Sequence, residues 1–427
     1  MKLKKLIGLM AVAGFALPGA ALATNGYFSH GYGMKAKGMG GAATAMSDDA
    51  FGGANNPASM VFAGDRLDVG VDLFSPKRSA SRTGSANSFG PGDPGRNGSA
   101  NSDSNYFAIP EFGYNKMINK DLSLGVSVYG NGGMNSDYKG GQVPANQCGA
   151  GAPASNLLCG QGRLGVDLMQ LIVAPTVAFK IAPNHSIGIS PLIGYQRFKA
   201  EGLQAFAPGS GSPSNLTNNG YDNSFGYGVR VGYMGKITPN VTIGAAYASR
   251  MSFQKFSKYQ GLFAEQGSFD IPENYNLGIA VKAMPDLTLA LDYQRINYGD
   301  VKSIANPSTN TGLYGTNNAA GFGWSSINVV KLGAAYQYNQ HWTLRAGYNH
   351  SDNPIQARDV TFNILAPGVV KDHATLGMTY LTDAGNELTI AYMHAFENTV
   401  SGKSSFGGTD TIKMYQNSLG VAYSWKM

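Results

Sequence analysis

The feature that most constrains this chain is an alternation of apolar residues with small or polar ones at every second position. In the stretch Asn328–His350, Val330, Leu332 and Ala334 share one side, and the pattern resumes after a short break at Asn339–His341. Successive side chains of a β-strand point to opposite faces, so a period of two predicts strands. The short break between the two alternating runs predicts a hairpin.

Fourteen alternating segments follow one another, joined by connections that are alternately short and long, the last long one at Glu397–Met414. Several reach the ~9–11 residues that a tilted strand needs to cross a bilayer. Short turns on one side and long loops on the other are typical of outer-membrane barrels, and an even strand number places both termini on the periplasmic, short-turn side. The segments are Arg66–Phe74, Tyr106–Ile118, Leu122–Tyr129, Val166–Ile181, Ile187–Phe198, Phe225–Ile237, Val241–Met251, Tyr275–Ala283, Leu287–Tyr298, Ile327–Tyr338, Trp342–Tyr348, Ala374–Tyr380, Leu388–Phe396 and Tyr415–Trp425.

The composition favours a membrane barrel over a soluble sandwich. Charged residues make up 14% of the chain, compared with about 25% in ordinary soluble domains. On the sixth segment Phe225, Tyr227 and Val229 share a side, and Gly226 and Gly228 lie opposite. An apolar face opposite small and polar residues is expected where one side meets lipid and the other lines a lumen. We therefore predict an all-β fold, a transmembrane antiparallel β-barrel of about 14 strands over residues 66–427.

The N-terminus has the pattern of a secretory signal peptide over residues 1–23. Lysines precede the apolar run Leu6–Leu17, and residues 21–23 form an A-x-A cleavage site, so the mature chain is expected to begin at Thr24. Removal of three lysines lowers the formal charge by three from +6. No long basic run follows, so we expect no nucleic-acid partner.

Cys148 and Cys159 are the two cysteines of the chain, eleven positions apart. A close pair in an exported protein predicts one disulfide that closes a small loop. The alternative is a metal pair, but no histidine or further cysteine lies near, and we expect no metal or cofactor.

Residues 24–65, before the first strand, do not alternate and are rich in glycine. Lumen-facing positions of the barrel are also often glycine, which leaves room inside. We predict that residues 24–65 fold as a compact plug in the lumen.

This N-terminal segment resembles that of the FadL-type outer-membrane transporters of long-chain fatty acids and other hydrophobic compounds. The matching motifs are Gly31-Tyr32-Gly33, Gly40-Gly41-Ala42, Ser47-Asp48-Asp49-Ala50 and Asn56-Pro57-Ala58, and LGAAYQYNQHWTLRAGYNHSDNPI is similar to the late hairpin of the family. The resemblance implies a monomer whose barrel is closed by an N-terminal hatch carrying the Asn-Pro-Ala motif. It also implies a kink in the third strand that opens a gap in the wall toward the lipid.

The third predicted strand ends in Gly130-Asn131-Gly132-Gly133. Glycine and asparagine tolerate positive φ and interrupt a ladder cheaply, so these residues are the candidates for the kink and lateral gap. The alternative is the ordinary start of a loop.

The loop after the seventh predicted strand is rich in aromatic residues at a spacing of three to four, which predicts a short amphipathic helix. We expect it to form an outer landing site for hydrophobic solutes, although its rings would also serve simply to pack the loop onto the barrel. The candidate residues are Phe253, Phe256, Tyr259, Leu262 and Phe263.

A fatty-acid carboxylate in the lumen would need a cation, because burying it unpaired is costly. Arg250 leads into the aromatic loop and is the first candidate. The alternative is that lumen arginines pair with lumen carboxylates such as Asp292.

The function predicted from these features is uptake of long-chain fatty acids or other hydrophobic compounds, with lateral release through the wall. The expected partners are those solutes together with outer-membrane lipid and lipopolysaccharide. A diffusion porin for small polar solutes is the alternative, and the plug argues against it. Enzyme activity is not expected: no G-x-S-x-G elbow occurs, and Gly402-Lys403-Ser404 lacks the first glycine of a phosphate loop, where Glu397 stands.

Overall fold

The computed structural model describes residues 24–88 and 90–427. The predicted signal peptide falls on residues 1–23 and lies outside the described residues. The N-terminal segment runs to residue 65, where the first long strand begins.

Fourteen long strands form one antiparallel ring, as the alternation predicted. The last strand, Thr409–Lys426, pairs with the first, Arg66–Thr83, along its length, from Arg66 opposite Lys426 to Thr83 opposite Thr409, which closes the barrel. Two further short strands pair with the ring: Gly98–Asn101 with the first strand, and Ser252–Phe253 with the sixth, Asp222–Thr238. The barrel strands are β1 Arg66–Thr83, β2 Phe107–Asn119, β3 Leu122–Tyr138, β4 Leu164–Ala182, β5 His185–Glu201, β6 Asp222–Thr238, β7 Val241–Ala248, β8 Asn274–Met284, β9 Leu287–Ile296, β10 Ile327–Gln337, β11 Trp342–Ser351, β12 Asp372–Leu381, β13 Glu387–Lys403 and β14 Thr409–Lys426.

The outward faces of the strands carry large apolar side chains that no protein atom covers. Leu73 is 57% exposed, Ile193 52% and Leu376 62%. Their neighbours in sequence point inward and are buried, so the alternation read from the sequence is an alternation between the outside and the lumen of the barrel. A protein that left this band in water would expose a very large apolar surface, whereas lipid tails cover it without cost.

The last long connection was predicted wrongly. Instead of a loop over Glu397–Met414, β13 and β14 continue as a paired hairpin that ends in a turn at residues 404–408. A register shift between Ala395 and Asn398 interrupts the alternation there. This bulge breaks the period of two on which the prediction of strands relied.

Helical turns are short and lie in the N-terminal segment and the long loops. None of the helices in the described part of the chain is long and apolar enough to cross a membrane. The α-helical turns are Met34–Lys37, Met60–Ala63, Ala264–Gly267 and Lys302–Ala305, and the 3-10 turns are Pro57–Ser59, Gln204–Gly209, Pro213–Asn215, Ser257–Tyr259, Tyr298–Asp300, Ala357–Asp359 and Phe362–Ile364.

The predicted disulfide is confirmed. Cys148 and Cys159 are bonded in the long loop between β3 and β4. Leu157 and Leu158, next to Cys159, are fully buried among the outer loops. The bond therefore closes the part of the loop that packs against the rest of the molecule.

Candidate transport site

The N-terminal segment packs against inward-facing glycines of the strands with no room to spare. A Cβ added at Gly232 would lie 2.0 Å from Asn56 Oδ1, and one at Gly347 would lie 2.1 Å from the amide nitrogen of Gly40. Glycine fits these positions because atoms of the segment, from its backbone at Gly347 and from the Asn56 side chain at Gly232, lie so close to the wall. The strand glycines in such contact are Gly113, Gly125, Gly188, Gly232, Gly244, Gly278, Gly333, Gly347, Gly377 and Gly420.

Buried polar groups join the segment to β9 and β1. The Asp292 carboxylate on β9 accepts hydrogen bonds from the backbone N–H groups of Ala43 and Thr44, both at 2.8 Å. Lys37 Nζ lies 2.8 Å from an Asp72 carboxylate oxygen on β1. Asp292 was named as a partner of lumen arginines, but it binds backbone of the segment instead.

The Asn56-Pro57-Ala58 motif docks the segment onto β5 and β6. The Asn56 side chain accepts a hydrogen bond from the Ala58 N–H at 3.1 Å and donates to the carbonyl oxygens of Thr44 and Tyr233 at 2.8 and 2.9 Å. Asn56 thus caps the 3-10 turn that begins at Pro57 and at the same time bonds to the wall. Alanine or aspartate at this position would lose the bonds that the amide donates.

The third strand changes register within the predicted kink. Gly130 pairs with Leu171 and Gly132 pairs with Gln170, so Asn131 is an extra residue in β3. Phe28 of the N-terminal segment bridges to Gly132, where a Cβ would lie 1.7 Å from the Tyr27 carbonyl oxygen. None of these four residues has positive φ. Gly132 is needed for the close approach of the segment instead.

The ladder between β2 and β3 ends beside this irregularity. Phe112 pairs with Val128, and farther toward the long loops Phe107–Glu111 pair with β1 but not with β3. The edge of β3 that β2 leaves free receives the Ser29 N–H, which donates to the Asn131 carbonyl oxygen at 3.1 Å. The wall is therefore discontinuous between β2 and β3, and the N-terminal segment covers the discontinuity from the lumen side.

An apolar cavity of about 600 Å³, its mouth included, lies among the outer loops. It is named the outer cavity below. The loops after β5, β7, β9 and β11 supply most of its lining, and Lys302, whose Nζ lies 3.0 Å from a Glu265 carboxylate oxygen, is its charged lining residue. Burial raises the pKa of the Tyr314 hydroxyl to about 12, so this group is neutral. The aromatic residues that line the outer cavity are Phe198, Phe206, Phe263, Tyr314, Phe322 and Phe362.

The predicted aromatic loop contributes to this cavity in a different form from the one expected. The amphipathic helix prediction was wrong, because residues 249–273 contain one 3-10 turn and one four-residue helix. Its rings face inward rather than outward. Phe253, Phe256, Tyr259 and Phe263 are buried, Leu262 is half-buried, and Leu262 and Phe263 line the cavity.

The aromatic residues of the other loops were not predicted from the sequence. Phe206, Tyr314 and Phe362 pack together, with ring centroids of Phe206 at 5.7 Å from both of the others. These loops have no periodic pattern. The available signal was the presence of large aromatic residues within stretches otherwise made of glycine, serine and asparagine. Aromatic residues in such loops indicate that the loops pack on one another.

A continuous line of rings runs from the outer cavity to the interruption in the wall. Phe263 lies 4.9 Å from Phe269, Phe269 lies 6.2 Å from Tyr27, and Tyr27 lies 5.1 Å from Tyr298. Trp324 packs edge-on against Tyr298 at 5.3 Å. Tyr27 precedes the residue that bridges to β3, so apolar contacts connect the two features.

Arg250 has a partner within the protein. Its guanidinium lies 2.7 Å from an Asp270 carboxylate oxygen, and it is not among the residues that line the outer cavity. A role for Arg250 as a ligand of a solute carboxylate stays a prediction.

The closed ring of fourteen strands with an apolar outer band defines an outer-membrane β-barrel. The sequence matches the family described as outer membrane protein transport protein (OMPP1/FadL/TodX) over residues 9–424. The chain belongs to this family and is a FadL/TodX-type outer-membrane transporter of hydrophobic compounds, as the resemblance implied.

Solved structures share the fold over nearly the whole chain. The Pseudomonas putida toluene transporter TodX is 20% identical with a TM-score of 0.68, covering 93% of this chain and 99% of that one. The Ralstonia pickettii toluene transporter TbuX is 17% identical with a TM-score of 0.65, covering 93% and 99%. A Pseudomonas aeruginosa FadL homologue is 16% identical with a TM-score of 0.69, covering 94% and 99%. A comparison with curated protein sequences finds no significant match.

Proposed function

We propose that the chain takes up long-chain fatty acids or other hydrophobic compounds by binding them in the outer cavity and releasing them sideways through the wall. The observation that carries the proposal is the apolar outer cavity, about 600 Å³ with its mouth included, held by four loops on the long-loop side of the barrel. Binding there is driven by removal of apolar surface from water, roughly 25 cal/mol per Å². Relatives of similar structure are toluene transporters and a FadL homologue, so both aliphatic and aromatic solutes are within the proposal.

The N-terminal segment acts as a hatch that blocks the straight path through the barrel. Residues 24–45 are buried throughout, and the strand glycines that contact the segment come from ten of the fourteen strands. The cavity within this region is lined by polar groups such as Lys35, Asp48 and Asp49. A hydrophobic solute gains nothing by entering it, because burial of those groups against an apolar surface leaves them without hydrogen bonds.

Lateral release follows the interrupted ladder between β2 and β3. A solute that passes along the rings from Phe263 to Tyr27 reaches the Asn131 bulge, where Phe107–Glu111 have no partner on β3. Movement of residues 27–29 away from β3 would break few bonds and open the wall to lipid. Transport then follows the concentration gradient, and we propose no enzymatic step and no cofactor.

The proposal includes the orientation and surroundings of the barrel. The barrel begins at Arg66 and ends at Lys426 on the short-turn side, which is the periplasmic side of such barrels. We propose a monomer whose apolar band contacts outer-membrane lipid and whose outer rim contacts lipopolysaccharide. The loops that carry the cavity then face the medium from which solutes come.

Uptake of labelled oleate and labelled toluene, by cells that lack or express the chain, tests the function. We expect expression to raise uptake of at least one of them while leaving arabinose permeation unchanged. Increased arabinose permeation without increased uptake of either hydrophobic solute would favour the porin alternative. The hatch is tested separately: deletion of residues 56–58 should raise conductance in planar bilayers, and unchanged conductance would contradict the proposal of a plug.

A further inference from the structure

A chain of buried side-chain amides runs along the inner face of the wall, from the aromatic loop after β7 to the bulge in β3. Gln196 Nε2 on β5 donates to the Phe269 carbonyl oxygen at 2.8 Å, and Gln170 Nε2 on β4 donates to Gln196 Oε1 at 3.1 Å. Asn131 Nδ2, in the β3 bulge, donates to Gln170 Oε1 at 3.1 Å. Gln196, Gln170 and Asn131 are at most 2% exposed and are named the amide relay below.

The two ends of the amide relay lie on parts of the molecule that the proposed route uses. Phe269 packs against Phe263 with ring centroids 4.9 Å apart, and Phe263 lines the outer cavity. At the other end, Asn131 is the extra residue of β3, and its carbonyl oxygen accepts the Ser29 N–H that covers the wall interruption. The relay residues are not among the described residues that line the outer cavity. The relay is therefore a polar link between the outer cavity and the interruption, separate from the line of rings.

The order of donors and acceptors in the amide relay is fixed by its ends. A backbone carbonyl oxygen can only accept, so Gln196 turns its NH2 group toward Phe269 and its oxygen toward Gln170. The same order continues to Asn131, whose Oδ1 accepts from the Tyr32 hydroxyl of the N-terminal segment at 3.2 Å. A buried amide that loses its neighbour keeps an unsatisfied donor or acceptor, which is costly. Loss of one link therefore weakens the others, and the relay behaves as a unit.

We propose that Gln170 and Gln196 are positioning residues for transport. They hold Asn131 in the closed wall until a solute in the outer cavity displaces the Phe269 carbonyl oxygen. A solute that contacts Phe263 also shifts the ring of Phe269 behind it, and Gln196 then loses its acceptor. Rearrangement of the relay frees Asn131, and the edge of β3 can move away from the N-terminal segment. This inference rests on the proposed function and adds that lateral opening depends on occupancy of the outer cavity.

Labelling of a single introduced thiol measures opening of the wall. Cys148 and Cys159 are bonded to each other, so Ile109→Cys carries the only free thiol of the chain. Ile109 is 3% exposed and lies in the stretch of β2 that has no partner on β3. A water-soluble methanethiosulfonate should label this thiol slowly when the full chain is reconstituted in liposomes. Toluene or oleate should increase the rate at least about fivefold, the ratio expected when one buried hydrogen bond no longer favours the closed wall.

Variants that break the amide relay should open the wall without a solute. In the Ile109→Cys background, Gln170→Met leaves Asn131 Nδ2 and Gln196 Oε1 without partners. Labelling without solute should then rise at least about fivefold, and toluene or oleate should add less than about twofold. Gln196→Met should behave in the same way. The double variant should label no faster than either single variant, because each break uncouples the same relay.

Gln294→Met is the matched control. Gln294 is a buried glutamine on the inner face of β9, 5% exposed, and its Oε1 has no hydrogen-bond partner among the described residues. It takes no part in the amide relay. The control should label slowly without solute and faster with it, as Ile109→Cys alone does. Heat-modifiable migration of each variant in gel electrophoresis checks that the barrel is folded.

Three results would overturn the inference. Equal labelling of Ile109→Cys with and without both solutes would do so, whichever variants fold. Unchanged labelling of folded Gln170→Met would show that the relay does not hold the wall closed. Additive increases in the single and double variants would show that each glutamine stabilises the wall on its own. The proposed function fails on a different measurement, since it requires that expression of the chain raise uptake of oleate or toluene by cells.

Discussion

The two halves of the lumen are built in opposite ways. On the short-turn side, the N-terminal segment lies so close to strand glycines that no space remains for a Cβ atom. It also binds the wall through buried groups such as Asp292 and Lys37. On the long-loop side, loops meet through aromatic rings such as Phe206 and Phe263 and leave the outer cavity, of about 600 Å³ with its mouth included. The short-turn half is filled except for one cavity with polar lining groups and is hydrogen-bonded, whereas the cavity of the long-loop half is lined by apolar side chains.

This difference separates a half that holds the N-terminal segment in place from a half that can accept a solute. Hydrogen bonds and ion pairs in a buried site are directional, so they stabilise one arrangement and penalise any other. Apolar contacts have no preferred direction and allow a solute to replace empty space or a neighbouring ring. A barrel that combines the two can hold its plug in place while its outer loops adapt to a solute. The predictions below test whether the halves are as distinct as the contacts indicate.

The largest effect is expected from Asp292→Ala. The substitution leaves the buried backbone N–H groups of Ala43 and Thr44 without acceptors, at a cost of roughly 1–3 kcal/mol each. The N-terminal segment should loosen, with higher conductance in planar bilayers and faster proteolysis within residues 24–65. The control is Asp383→Ala, an exposed carboxylate in a short turn, which should change neither measurement. Equal behaviour of the two variants would mean that the segment does not depend on its buried bonds.

A smaller effect is expected from Gly232→Ala. The new Cβ would lie 2.0 Å from Asn56 Oδ1, and such overpacking costs about 1–3 kcal/mol in free energy of unfolding. The urea midpoint of the folded, fast-migrating gel band should fall. Gly211→Ala is the matched control, because its Cβ would meet its nearest neighbour at 3.5 Å, an ordinary contact. A midpoint unchanged in both variants would contradict the close packing described for the filled half.

The sequence predicted the wall far better than the contents of the lumen. Alternation located all fourteen strands, because a strand between lipid and lumen must change polarity at every step. It failed at the bulge between Ala395 and Asn398, where one extra residue shifts the period and conceals the rest of β13. The pairing of Phe28 with Gly132 could not be predicted from the sequence either, since it depends on where a non-periodic segment lies in three dimensions.

The site residues divide in the same way. Asn56-Pro57-Ala58 was found through a local motif, and its bonds to Thr44 and Tyr233 explain why the motif has this form. The lining of the outer cavity comes from four loops that are far apart in sequence, and only the aromatic loop after β7 was selected.

In the apolar half, Phe206→Ala should lower uptake of toluene about fivefold to thirtyfold. The ring is half-buried, lines the outer cavity and packs against Tyr314 and Phe362, so its loss removes apolar contact worth about 1–2 kcal/mol to a bound solute. Phe396→Ala is the control, because Phe396 is 49% exposed on the outer face of β13 and away from the cavity. A similar loss in both variants would point to a general effect of phenylalanine removal on the barrel rather than to the cavity.

The smallest effect is expected from Arg250→Gln, at the start of the aromatic loop after β7. The Arg250 side chain is 38% exposed and pairs with Asp270, and an ion pair exposed to this extent contributes about 1 kcal/mol or less. Octanoate and toluene uptake should each change less than twofold. A fall in octanoate uptake alone would support Arg250 as a carboxylate ligand. Acidic solutes would then be recognised by charge, and the apolar half would no longer accept solutes by apolar contact alone.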